Sequence, residues 1–327
     1  MTPKESAPPW LVWTALWVVY IVWGSTYLAI RVTVETLPPL LTGGVRFLIA
    51  GLVVYVFLLI KRGGLQGVKV TRREVLASTA VGTLLLLGGN GSVQVAEVRV
   101  PSALAALIIA AVPLWVVVMR AVTGEKVARG TMVGVFVGFV GVSVLVLPGG
   151  GAGGASLFHL LLIVFASLSW ATGSFLSKKL PLPKDPFLST GIQMLTGGAV
   201  MTLAGVVRGE ASGLDPSSFS GASIAAFFYL IVFGSLLAFT AYVWLLQNAP
   251  ISKVATYAYV NPVVAIGLGW LILQEEVTPI IILGASIIVL AVATVIQIES
   301  RTAVSPEPGS VPATDLTDDR LLADART

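Results

Sequence analysis

The chain is 327 residues long, 56% hydrophobic and only 11% charged, with a formal charge of +4 and no cysteine. Disulfides, thiol catalysis and cysteine-based metal sites are excluded, and the single histidine, His159, offers no His cluster to hold a metal. The apolar residues come in runs of about twenty, the length that crosses a bilayer core, so the expected class is an all-α integral membrane protein.

Ten spans fit the pattern, at 10–30, 39–60, 73–95, 101–121, 127–147, 156–178, 187–207, 221–246, 252–273 and 277–298. The first lacks a small-residue cleavage pattern and reads as an uncleaved span. Its Trp10, Trp13, Trp17 and Tyr20 share one side at helical spacing. Trp10 and Trp13 suit an aromatic belt at the interface; Trp17, which lies deeper, and Trp23, Ser25 and Thr26 near mid-span are candidates for binding a ligand. Span two carries Arg46, the one basic residue well inside a span. It could snorkel, pair with Glu35 or Glu97, or bind an anionic group.

Span three carries Asn90 and Gln94, four apart and hence on one face, where amides need partners and should look inward. Lining a site and bridging helices are both open to them. This span, with its glycines, and the long eighth fit the pattern least well. Gly134, Gly138 and Gly141 give span five a small-residue packing face. Span six has His159 at its start, expected at the surface, and further in Trp170, the counterpart of Trp23 and like it a candidate for stacking on a ligand, with Ser167 and Ser169 beside it to supply hydrogen bonds or let helices approach closely.

Spans four and nine each contain a proline, Pro113 and Pro262, which removes a backbone donor and crowds the carbonyl four residues earlier, here Ala258 for Pro262. Both are expected to break their helices. Tyr257 and Asn261 lie on one face of span nine beside that break and are expected to line a central site, with a bridge from Asn261 to a neighbouring helix as the alternative, while Tyr259 points away and packs.

The two prolines are 149 residues apart, as are Pro101 and Pro250, while Trp23 and Trp170, and Pro39 and Pro186, are 147 apart. The chain is therefore a duplication: residues 10–147 form a first five-helix repeat, 148–155 a Gly-rich linker outside the membrane, 156–298 a second repeat, and 299–327 a polar tail expected to be disordered in the cytoplasm. Five is odd, so the second repeat lies upside down relative to the first. Interrupted helices at matching positions of inverted repeats point to a transporter's binding site. Basic residues support the count. With both termini inside, 16 of the 20 Lys and Arg face the cytoplasm, only Arg31, Arg99 and Arg208 face out, and Arg46 is within a span.

VWGSTYLAIR in span one, PPLLTGGVRFLIAG opening span two, SWATGSFL in span six and TYAYVNPVV in span nine resemble the EamA-type carriers of the drug/metabolite transporter superfamily. The likeness covers about residues 10 to 298. It implies ten helices in two inverted repeats, a bacterial inner (cytoplasmic) membrane location and export of small metabolites or drugs. One departure from symmetry stands out: Glu275 lies 13 residues after Pro262, but Glu125 only 12 after Pro113.

The acids sit in loops, in the tail or at span ends, with no carboxylate pair placed for acid–base chemistry, so an enzyme is not expected and no cofactor is implied. The same distribution argues against proton or sodium coupling. The expected function is alternating access around a site between spans one, three, four, six, eight and nine, for small amphipathic substrates such as amino-acid-like compounds. Expected partners are that substrate and the bilayer, with no nucleic acid. Uptake by the same fold and a non-transporting scaffold or sensor are the alternatives.

Overall fold

The structure is a computed structural model that describes residues 8–147 and 155–304. The tail beyond 304, and all but the last residue of the expected linker, lie outside the described residues. Ten helical spans follow in order: α1 Pro9–Thr33, α2 Pro39–Lys61, α3 Arg72–Glu97, α4 Ser102–Val122, α5 Arg129–Val146, α6 Leu157–Ser177, α7 Pro186–Val207, α8 Gly221–Leu246, α9 Tyr257–Leu273 and α10 Pro279–Val304. Among the described residues nine are long and apolar enough to cross a membrane alone, and α9, at 17 residues, is preceded by a short turn, Ile251–Val254.

The starts are dictated locally. Proline opens α1, α2 and α7, where its missing amide would have had no partner. Thr71 and Glu74 form a reciprocal capping box before α3, and the Asp185 carboxylate accepts from the Leu188 amide at the start of α7. Arg62 at the end of α2 reaches that same Asp185, fastening one helix end to the next start.

The packing has the symmetry that the repeat demands. α2 lies along α7 and α5 along α10, each helix against its own counterpart, while α1 against α9 is mirrored by α6 against α4. The α2–α7 contact is backbone to backbone: a Cβ on Gly44 would stand 2.2 Å from Thr202 Oγ1 and 2.5 Å from its amide nitrogen. Gly138 of α5 is equally tight, since a Cβ there would stand 2.4 Å from a methyl of Leu114, and Gly134 and Gly141 press on α10, so the small-residue face of span five packs helices as expected. Elsewhere apolar side chains turn outward: Leu52, Val56 and Phe57 on α2 and Val133, Phe136 and Val140 on α5 are exposed, as a lipid-facing surface requires.

Two features depart from the proline-based expectation. The span-nine break falls at Ala255–Thr256, and Pro262 lies inside α9 as its sixth residue. In span four the helix stops at Ile109 and restarts at Val112, leaving Pro113 in the first turn of the new segment. Pro113 therefore opens a second segment, where its absent amide would have had no partner, whereas Pro262 sits within α9 and removes the bond to the Ala258 carbonyl without ending the helix. The other feature is wholly new. α3 and α8 each contain a π-helical stretch, Thr83–Gly91 and Leu230–Leu237, whose starts are 147 residues apart.

Candidate functional site

The irregular segments meet at the centre and leave a cavity of about 140 Å³. Its wall takes Trp23, Thr26 and Tyr27 from α1, Gly89 and Asn90 from the π stretch of α3, and Pro113 from α4. Trp170 comes from α6, Gly234 and Ser235 from the π stretch of α8, and Tyr257, Asn261 and Pro262 from α9. All six spans expected around the site contribute, and α2 and α7 add Arg46, Phe47 and Met194.

Each backbone irregularity is answered by a named group. Ser169 Oγ donates to the Leu84 carbonyl in the first π stretch at 2.8 Å, and the Trp23 indole donates to the Gly234 carbonyl in the second at 3.2 Å. Trp23 and Trp170 thus take corresponding places, for Trp170 packs on Gly89, where a Cβ would come within 2.8 Å of its ring. Such wider turns displace carbonyls from the regular ladder and commonly occur at functional sites.

Asn261 is buried, and with its amide nitrogen turned toward the carbonyls of Tyr20 and Tyr257 it donates to both at 3.3 Å. It therefore joins α9 to α1 and holds the carbonyl of Tyr257, not that of Ala258, while still lining the cavity. Around it the rings of Trp23, Tyr242 and Tyr257 stand 4.9–5.6 Å apart, centre to centre, and the Tyr20 hydroxyl bonds Thr256. Tyr259 packs into the hydrophobic core, as expected.

Three expected site residues are placed elsewhere. Trp17 is 55% exposed and outside the cavity, its ring set edge-on to Tyr20. Ser25 is buried against α8, sharing a 2.6 Å hydrogen bond with the Tyr229 hydroxyl and donating to the Val22 carbonyl. Gln94 is 1% exposed, wedged against Gly43 of α2, with its amide 3.4 Å from Asn90 Oδ1. Helix periodicity located each of these on an inward or polar side, but which neighbour fills that side is a property of the bundle. Thr26 reaches the wall, though its hydroxyl donates to the Trp23 carbonyl in its own helix.

Glu97, offered by the sequence as a partner for Arg46, lies outside the cavity wall and makes no ion pair with that residue. Glu97 is at the end of its span, as expected for an acid, yet it is fully buried and neither carboxylate oxygen has a hydrogen-bond partner. Arg31, close by, donates to the main-chain carbonyls of Glu97 and Val98. Glu275 accepts from the amides of Ser102 and Ala103 and from Ser102 Oγ at 2.8–3.0 Å, capping α4 from beyond α9. Glu125 does not repeat this role; it pairs with Arg120 at 2.7 Å, which holds its carboxyl below the usual range. The one-residue difference in spacing thus accompanies a real difference between the halves.

Two interlocked five-helix sets, inverted with respect to each other and enclosing a cavity among broken helices, define a helical membrane transporter. The chain belongs to the EamA-like transporter family, which it matches over residues 10–147 and 157–297. It is 39% identical over 282 residues to the inner membrane transporter YedA of Escherichia coli (strain K12), covering 86% of this chain and 89% of that one. With the transporter YoaV of Bacillus subtilis (strain 168) it shares 27% identity over 275 residues, 83% of this chain and 91% of the other. A protein crystal structure superposes with a TM-score of 0.60 over 90% of this chain and 99% of its own, at 20% identity, a likeness of fold.

Proposed function

We propose that this transporter is a carrier of the bacterial inner membrane that exports small amphipathic molecules, amino-acid-like compounds or hydrophobic drugs, by alternating access. The observation that carries the reading is the cavity itself. Irregular backbone is tolerated at membrane depth only where it is buried or lines a cavity, and four interrupted spans converge on this one. Its aromatic walls and sparse polar groups suit a molecule with an apolar body and a polar end.

Residues 10–147 and 156–298 act as the two repeats, and the side-by-side packing of α2 on α7 and of α5 on α10 supports rocking about those paired helices. The basic-residue distribution supports cytoplasmic termini. Export is favoured over uptake by the resemblance of the span motifs to exporting carriers. Trp23, Trp170, Asn90, Tyr257 and Asn261 are the residues assigned to substrate contact, through their place on the wall.

The test is counterflow in proteoliposomes with a panel of radiolabelled amino acids and dyes, using Asn261→Leu as the comparison. Exchange of at least one compound by the wild type, reduced tenfold or more in the variant, is expected. Equal rates for every compound would refute the site assignment. Energised right-side-out and inverted vesicles then read the direction.

A further inference from the structure

Arg46 is 4% exposed, about two turns into α2, and lines the cavity. Its Nε donates to Ser235 Oγ at 2.8 Å, and its Cζ lies 4.6 Å from the centre of the Phe47 ring. Nη1 has no hydrogen-bond partner, and among the described residues no carboxylate is within ion-pairing distance of the guanidinium. Both acids that sequence spacing offered are elsewhere: Glu35 is exposed, and the Glu97 oxygens meet no donor. Space for the guanidinium is kept by Gly234, where a Cβ would stand 3.2 Å from Nη2.

A cation sealed among apolar helices is costly unless an anion answers it. Among the described residues no other charged side chain lines this cavity. We propose that Arg46 anchors the anionic end of the transported molecule, so that the substrate class is amphipathic compounds with a single carboxylate, as monoanions or zwitterions. This rests on the carrier reading above and narrows it. The planar fork of a guanidinium matches the two oxygens of a carboxylate, and one cation without a basic neighbour answers one negative charge, not the two of a phosphate monoester. Trp23 and Trp170 line the same cavity and supply aromatic surface for the apolar body. Only one repeat provides the anchor: Gln193, at the corresponding place in α7, is uncharged and bonds Ser189 Oγ at 2.9 Å.

The test uses the purified full-length chain in lipid nanodiscs, with calorimetric titration of three probes that share an indole body: indole-3-propionic acid, its primary amide, and tryptamine. The acid should bind the wild type at least about tenfold more tightly than the amide, the scale of a charge-assisted hydrogen bond, with tryptamine weakest. Arg46→Gln should bind acid and amide alike. Arg46→Lys, which keeps the charge without the fork, should retain a reduced preference and serves if the glutamine variant does not fold. Equal affinities in the wild type, no acid binding up to millimolar concentration, or a preference that survives Arg46→Gln would each overturn the proposal. Binding of the acid without exchange in proteoliposomes would sink the carrier reading and leave the anchor standing; exchange of neutral amphiphiles with no acid preference would do the reverse.

Discussion

At the scale of single residues, Arg46 and Glu97 present the same question with opposite signs. Both are buried and each has polar atoms without a partner, yet only Arg46 lines the cavity, so a ligand can complete the one and not the other. A buried carboxyl with neither oxygen bonded costs stability whether it is charged or neutral, because its lost hydration is not replaced. Glu97→Met should therefore raise thermal stability in detergent, by roughly 1 kcal/mol or more, measured as the unfolding midpoint by scanning fluorimetry. A lower midpoint would mean that the carboxylate has a stabilising partner. The amides show how far local reasoning reaches. The four-residue spacing of Asn90 and Gln94 put both on one face, and there they are, but Asn90 meets the cavity and Gln94 meets Gly43.

At the scale of helices, close approach and interruption do different work. α2 and α7 touch through Gly44, Gly51, Gly198 and Gly205, where an added Cβ would press on the facing backbone. Gly44→Ala should cost about 1–3 kcal/mol through overpacking, whereas Gly267→Ala on α9, with no atom within 4 Å of the added carbon, should be neutral or slightly stabilising. Unfolding of both variants in the same detergent checks the contrast; equal losses would show that helix contact is not the cause. The π stretches belong to this scale too. Nothing in the local composition of Thr83–Gly91 or Leu230–Leu237 names a wider turn, since it exists because Ser169 and Trp23, from other helices, receive the displaced carbonyls.

Across the whole molecule, the absence of cysteine makes the topology directly testable. Ser212, between α7 and α8, and Thr123, between α4 and α5, are exposed and belong to opposite sides of the bilayer in an arrangement with cytoplasmic termini. In intact cells a membrane-impermeant maleimide should label Ser212→Cys and spare Thr123→Cys until the membrane is permeabilised. The reverse pattern would invert the assigned orientation. Asymmetry between the halves, seen in Arg46 against Gln193 and in Glu275 against Glu125, places the anion anchor in the first repeat and the carboxylate cap of α4 beyond the second.

Read alone, the amino-acid order determined the ten apolar spans, their duplication, the family and the presence of interruptions in spans four and nine, because span length, residue spacing and proline chemistry are local properties. It also brought Trp23, Trp170, Tyr257 and Asn261 to a shared wall, since matching positions of two repeats converge on their axis. Only the tertiary structure decided that Trp17 faces outward, that Ser25 and Gln94 serve helix contacts, that the ninth span breaks ahead of Pro262, and that Glu97 is enclosed. The reason is that periodicity orients a side chain about its own helix, while its partner, and whether water reaches it, depend on which other helix is packed against that face.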